Sequence, residues 1–236
     1  MNRVAIWDAC IAGFVGTPYK RTVRTWLDCV PVRGIRIAQH PEPCDDYFVA
    51  DCAPDRAMTL IRAVPPAALC YITVCANDDR DIHAYQSLGV THAYSELVMA
   101  VDVHNRPIVP PAYAVQRATS DDVTRWNAMD PEGESWLNPL DVASPEMGHY
   151  AIFHAGTMVA RGRSLRLSAG YSYVSMVFVS PGHRRRGYGR ALMQAILNDD
   201  VATGMHTSTL MASYEGAALY ATLGYETVAQ THVFTL

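Results

Sequence analysis

Val179–Met193 reads VSPGHRRRGYGRALM. Three arginines stand side by side, two glycines follow one residue apart, and a run of helical character begins. Upstream lies YSYVSMVFVS (171–180), whose β-branched and aromatic residues predict a buried strand. Pro181 ends its pairing. Downstream, Ala191, Leu192, Ala195 and Ile196 recur at helical spacing. The stretch is therefore a strand–loop–helix junction. A helix N-terminus presents unpaired amides and a partial positive charge, and glycines let a ligand approach the backbone. Such a junction binds phosphate groups, and neighbouring arginines add charge-assisted donors. There is no lysine for a Walker A loop, and the spacing differs from GxGxxG.

Reading outward, the C-terminal part alternates regularly. AYAVQRA predicts a strand. TSDDVTRWNAMD predicts a helix with Thr119 or Ser120 as its N-cap. HYAIFHAG and TMVARGRSLRL predict a hairpin around Gly156. HTSTLMAS predicts a strand, EGAALYATLG a helix stopped by Gly224, and YETVAQTHVFTL a last strand. The order β-α-β-β-β-α-β-α-β specifies a mixed α/β layer fold.

The N-terminal part is less regular. ALCYITVCA predicts a strand, DRDIHAYQSLG a helix and ELVMAVDV another strand. AYQSLGVTHAYSELVMAV (84–101) parallels LYATLGYETVAQTHVFTL (219–236): an aromatic residue, three residues, a glycine, then a strand. DVHNRPIVPPAYAV (102–115) carries Pro107, Pro110 and Pro111 and reads as a linker. The divisions are 1–104, a small α/β domain; 105–111, the linker; and 112–236, the domain bearing the loop.

Composition narrows the partners. The chain has 236 residues, a net charge of -4 and 50% hydrophobic residues. That balance disfavours disorder and polyanion binding, so nucleic acid is not an expected partner. Neither signal peptide nor spanning segment is evident, and a cytoplasmic protein without a membrane partner is expected. All six cysteines lie in the first third, in no metal-binding spacing, and no metal site is expected.

Val179-Ser180-Pro181-Gly182-His183-Arg184-Arg185-Arg186-Gly187-Tyr188-Gly189, followed by Arg190-Ala191-Leu192, resembles the acyl-CoA loop of the Gcn5-related N-acetyltransferase (GNAT) superfamily. AALYATLGYE (217–226) resembles that family's segment after the penultimate strand. The resemblance covers about residues 112–236. It implies a GNAT fold with a mixed, mostly antiparallel sheet flanked by helices, and an N-terminal part that is a degenerate GNAT-like half or an unrelated α/β domain. It implies acetyl-CoA as cosubstrate and a small-molecule or peptide amine as acceptor; a homodimer stays open. Met176–Val179, including Val177 and Phe178, would pair with pantetheine. The amides of Arg184, Arg185, Arg186, Gly187, Tyr188, Gly189 and Arg190 would hold the pyrophosphate. Tyr220 would protonate the CoA thiolate.

Two departures stand out. Ser213 occupies the position of a cofactor-contacting asparagine. Ser175 occupies that of a glutamate base, and no carboxylate lies in 171–180. Candidates for the base are His149, His154, Glu134 and His206. The loop 129–148 holds Trp136 and five carboxylates, follows Trp126, and suggests a cationic acceptor. The expected activity is N-acetyl transfer by direct attack; the alternative is a non-catalytic acyl-CoA-binding regulator.

Overall fold

A computed structural model of the chain describes residues 2–38, 43–76, 78–130, 132 and 136–236. Its strands are β1 (Arg24–Leu27), β2 (Arg33–Ile37), β3 (Cys44–Val49), β4 (Leu69–Ala76), β5 (Thr91–Asp102), β6 (Gln116–Arg117), β7 (Met147–His154), β8 (Thr157–Arg166), β9 (Tyr171–Val179), β10 (Thr207–Ala212) and β11 (Glu226–Thr235). Its helices are α1 (Arg3–Val15), α2 (Pro18–Val23), α3 (Pro54–Arg62), α4 (Arg80–Gln86), α5 (Val123–Ala128), α6 (Pro139–Ala143), α7 (Tyr188–Ala202) and α8 (Tyr214–Ala221).

The element order expected for the C-terminal part is present, with α6 in addition. Of the two N-caps expected, Thr119 or Ser120, Thr119 caps the 3₁₀ turn Ser120–Asp122 that leads into α5, in a capping box with Asp122 that satisfies donors the first turn leaves open. Helix α1 carries no strong signal in the sequence. Its buried residues Ile6, Trp7, Cys10, Ile11 and Val15 line one side of it, while Val4, Ala5, Ala12 and Phe14 add apolar residues outside that stripe.

All eleven strands form one sheet, ordered β1-β2-β3-β4-β11-β5-β10-β9-β8-β7-β6. Strand β5, from the N-terminal part, lies between β10 and β11. Strand β11, the last of the chain, lies between β4 and β5. The two parts thus exchange their final strands, and pairing crosses the 105–111 segment in both directions. The two segments with parallel sequence patterns become α4–β5 and α8–β11. Each has a glycine at positive φ between helix and strand, Gly89 (81°) and Gly224 (87°), where a side chain would be strained. Their strands pair antiparallel at the centre of the sheet.

Successive residues of a strand face opposite sides. On β5, Met99 and Val101 pack with Leu192, Ile196 and Leu197 of α7 and Tyr220 and Leu223 of α8. Val98 and Ala100 pack on the other face with Ile6, Trp7, Cys10 and Ile11 of α1, together with Phe48 and Tyr173. Helix α1 therefore bridges both parts. The Gly13 backbone lies so close to the Tyr173 side chain that a Cβ would overlap it at 2.2 Å.

Two parallel crossovers differ in a way that bears on the site. In β3–α3–β4 every residue of β3 is paired, from Cys44↔Leu69 to Val49↔Val74. In β9–α7–β10 the pairing stops at Val174↔Leu210, although β9 runs on to Val179. A bulge accompanies the divergence. Arg161↔Phe178 is followed by Arg163↔Ser175, and Met176 has φ of 57°. An extra residue on one strand bends it and increases its twist. The N-terminal ladder stays closed; the C-terminal one forks.

Candidate acyl-CoA site

Beyond Val174 the fork leaves the β10-facing edge of β9 without a strand partner among the described residues, while the other edge of β9 remains paired with β8. Hydrogen-bonding groups exposed in this way need a partner, and an extended amide-bearing chain can supply one. This edge includes the segment Met176–Val179 that the resemblance would pair with pantetheine.

Immediately after β9 the chain makes a 3₁₀ turn at Pro181–His183. Arg184 Nε donates to the Val179 carbonyl at 3.1 Å, fastening the loop to the strand end. Arg185 (φ 61°) and Gly187 (φ 86°) both take left-handed backbone conformations. Gly187 is the N-cap of α7, without a side-chain cap. The first-turn amides at Tyr188, Gly189 and Arg190 precede any intrahelical acceptor and stay available. Gly189 also permits close packing: a Cβ there would come within 3.0 Å of Leu219 Cδ2 on α8. Arg184, Arg185, Arg186 and Arg190 are exposed around this turn. A pyrophosphate fits this donor set: free amides at a fifteen-residue helix, ringed by cations. The counterpart junction between β3 and α3 lacks such a set. It reads ADCAPD, with Asp51 and Asp55 beside the helix start, and disfavours an anion.

Tyr113 braces the loop from outside the motif. Its hydroxyl donates to the Arg186 carbonyl at 2.8 Å, and its ring packs on Tyr188 at 4.4 Å between centroids. The sequence gives little sign of this, since Tyr113 lies in the proline-rich segment.

Tyr220 lies on α8, buried and packed edge-on against Tyr225 at 5.8 Å. Burial, with the charge of Glu96 in support, pushes its phenol up to about 12. The proton therefore stays on at neutral pH and is available for donation. Ser213 is the N-cap of this helix, its Oγ accepting from the Gly216 amide at 3.1 Å.

The sequence-derived candidates for the base fall in different places. Glu134 lies outside the described residues. His206 precedes β10, at the opposite end from Ser213, about 20 Å away at about 3.3 Å per residue; its ring packs on His104. His154 sits at the β7–β8 hairpin, 3.3 Å from the Tyr188 hydroxyl and beside His183, on the loop side. His149 is buried on β7 against Trp136. Burial, then Arg163 and Arg117, push its pKa down to about 3. It is neutral, and too weak a base to hold an ammonium proton. Ser175 accepts from Arg163 Nε at 2.9 Å.

Two carboxylates of the acidic loop share one buried guanidinium. Arg161, buried on β8, donates through Nε to Asp130 at 2.6 Å and through its other nitrogens to Glu132 and to the Met176 carbonyl. It stacks between Trp136 and Phe178. The buried Asp130 and the part-exposed Glu132 thus anchor the guanidinium that holds the bulge in place. Two cavities, of 250 and 350 Å³, lie beside α1. The second reaches Glu146 of the acidic loop, and neither is lined by β9 or by the turn before α7.

No helix among the described residues is long and apolar enough to cross a membrane. No curated protein sequence matches the chain. Residues 146–227 match the family model of the acetyltransferase (GNAT) domain. The fold is similar to that of a GCN5-related N-acetyltransferase from Kribbella flavida, at 18% identity and a TM-score of 0.68 over 99% of this chain and 95% of that one. It is similar to a GCN5-related N-acetyltransferase from Sphaerobacter thermophilus, at 14% identity and TM-score 0.53 over 87% and 76%. It is also similar to a tandem GNAT protein from the clavulanic acid biosynthesis pathway, at 13% identity and TM-score 0.53 over 87% and 78%. The chain has the fold of GNAT proteins across its length, and residues 146–227 are the part that resembles the acetyltransferase (GNAT) domain in sequence.

Proposed function

We propose that the chain transfers an acetyl group from acetyl-CoA to a primary amine by direct attack. The observation that carries this reading is the forked ladder: pairing ends at Val174↔Leu210, with the α7 amides on one side and Tyr220 on the other. Acetyl-CoA supplies the acetyl group as an activated thioester. The free edge of Val177–Val179 pairs with the pantetheine amides. The loop from Arg184 to Arg190 takes the pyrophosphate, with Arg184 holding the loop in place. An amide near Val179 polarises the thioester carbonyl, the kind of oriented dipole that contributes most to acyl transfer. Tyr220 donates its proton to the leaving sulfur. Among the described residues only the C-terminal half contains a fork and a turn suited to an anion, so one acetyl-CoA per chain is expected.

Measuring CoA thiol release against a panel of amines (amino acids, polyamines, aminoglycosides, peptide N-termini) tests the proposal. Amine-dependent release supports it; acetyl-CoA binding without release from any amine favours the second reading, a non-catalytic acyl-CoA sensor. The second reading draws on one observation: the carboxylate-free strand β9, where Ser175 is engaged by Arg163.

A further inference from the structure

The sequence places no base on β9, and the histidines do not converge on Tyr220. The exchanged strand β5 brings a different residue there. Its ladder with β10 runs from Asp102↔Thr207 to Leu97↔Ala212. One residue further, β5 reaches Glu96 and the neighbouring chain reaches Ser213, the N-cap of the helix that carries Tyr220. Glu96 therefore stands past the last β9–β10 pair, level with the open part of the fork. By strand alternation its side chain shares the face of Val98, Ala100 and Tyr173, opposite the α7 face. The backbone around it is fixed: Thr231 of β11 pairs with it, and the Thr231 hydroxyl donates to its carbonyl.

The carboxylate itself has no ion pair and no hydrogen bond among the described residues. It is half-buried, and burial raises its pKa above the ordinary glutamate value. The ionisable groups that its charge raises are Cys10 of α1, Tyr94 of its own strand, Tyr173 of β9, and Tyr220 of α8, which packs with the α7 face. No cation offsets it. A partly desolvated carboxylate left without a partner costs stability, and such groups cluster where a substrate supplies the missing partner.

We propose that Glu96, delivered by the strand exchanged from the N-terminal half, binds the acceptor ammonium and is the base of the acetyl transfer. This rests on the acetyltransferase reading above. The ammonium gives one proton to the Glu96 carboxylate. The freed nitrogen lone pair forms the N–C bond to the acetyl carbonyl as the C–S bond breaks, and the sulfur takes the Tyr220 proton. The nitrogen's surplus proton returns to the Tyr220 oxygen, and Glu96 releases its proton to solvent with the product. The N-terminal half thereby has a chemical role although it holds no cofactor of its own.

Two probe nucleophiles separate base catalysis from a structural role: butylamine, an ammonium at pH 7, and hydroxylamine, neutral at pH 7. For Glu96→Gln the expected result is a fall in butylamine turnover of about 10²-fold or more, with hydroxylamine turnover and acetyl-CoA affinity within about threefold of the parent. Glu96→Asp should restore part of the butylamine rate. Equal losses with both probes, no loss with either, or a parent that acetylates hydroxylamine but not butylamine overturns Glu96 as the base. A parent that acetylates neither overturns the acetyltransferase reading, and the base assignment with it.

Discussion

Val174 of β9 and Leu210 of β10 form the last rung of their parallel ladder, and the two strands separate beyond it. The separation is built by the Met176 bulge, which Arg161 holds through the Met176 carbonyl while binding Asp130 and Glu132. Removing the Arg161 charge takes this counter-ion from the buried Asp130 carboxylate and from the part-exposed Glu132. Arg161→Met should therefore lower stability by about 3–5 kcal/mol, read as a fall in the urea midpoint, and weaken acetyl-CoA binding. An unchanged midpoint contradicts this bracing role.

The phenol of Tyr220 is the proton donor in the proposed transfer. Tyr220→Phe removes one oxygen and leaves the packing on Tyr225 intact. Expected is a fall in kcat of about 10²-fold or more, with acetyl-CoA affinity within about twofold by calorimetry. Loss of affinity in parallel with kcat would mean that Tyr220 binds rather than reacts.

The turn before α7 depends more on its backbone than on its side chains. Gly187→Ala places a Cβ at φ 86°; the space is open, with Tyr113 at 3.6 Å, so the cost is conformational, about 1 kcal/mol or more. Acetyl-CoA affinity should fall about tenfold, against a smaller loss for Arg186→Ala. Tyr113→Phe keeps the stack on Tyr188 but loses the bond to the Arg186 carbonyl, a net loss of about 1 kcal/mol and about fivefold in affinity. Isothermal titration of the three variants ranks them.

Asp200 of α7 supplies a pH test of the core beside the fork. It is buried, accepting from the Ser172 hydroxyl at 2.6 Å and from Ser164 at 3.2 Å. Burial raises its pKa from 3.8 to about 6, the serine hydroxyls opposing. Raised in the fold, this group contributes stability that is full below pH 3.8 and is lost as the pH rises through about 6. Asp200→Asn keeps a polar partner for the serines and removes the charge. Its Tm should exceed the parent's by several degrees at pH 8 and match it near pH 4. A difference independent of pH rules this out.

Much of the candidate site is legible in the sequence because it is local. The loop's glycines, the apolar spacing of α7 and the tyrosine of α8 lie in two short stretches, and the structure places both beside the fork. The helix–glycine–strand pair at 84–101 and 219–236 is also visible, and it marks the two strands at the sheet's centre. Their exchange is not visible. The alternating pattern of β5 or β11 fixes which face is buried, not which strand lies alongside. Glu96 was hidden for the same reason: in SELVMAV it reads as an ordinary strand residue, and only the pairing Leu97↔Ala212 brings it next to Ser213. The one local hint was a carboxylate abutting an apolar run.

The same exchange makes a prediction for the 105–111 junction. Residues 1–111 expressed alone would lack β11, and residues 112–236 would lack β5, each leaving the centre of the sheet unpaired. Neither piece should give a cooperative melt by circular dichroism, and the two co-expressed should elute together with a cooperative melt. Independent cooperative folding of either piece contradicts the exchanged pairing.

The central claim is that the fork and the α7 turn receive acetyl-CoA. A crystal structure grown with acetyl-CoA tests it most directly. The account predicts pyrophosphate oxygens on the amides between Arg184 and Arg190, pantetheine along Val177–Val179, and sulfur within hydrogen-bonding reach of the Tyr220 hydroxyl. Acetyl-CoA bound elsewhere, in the cavities beside α1 or against β3 and β4, would contradict it.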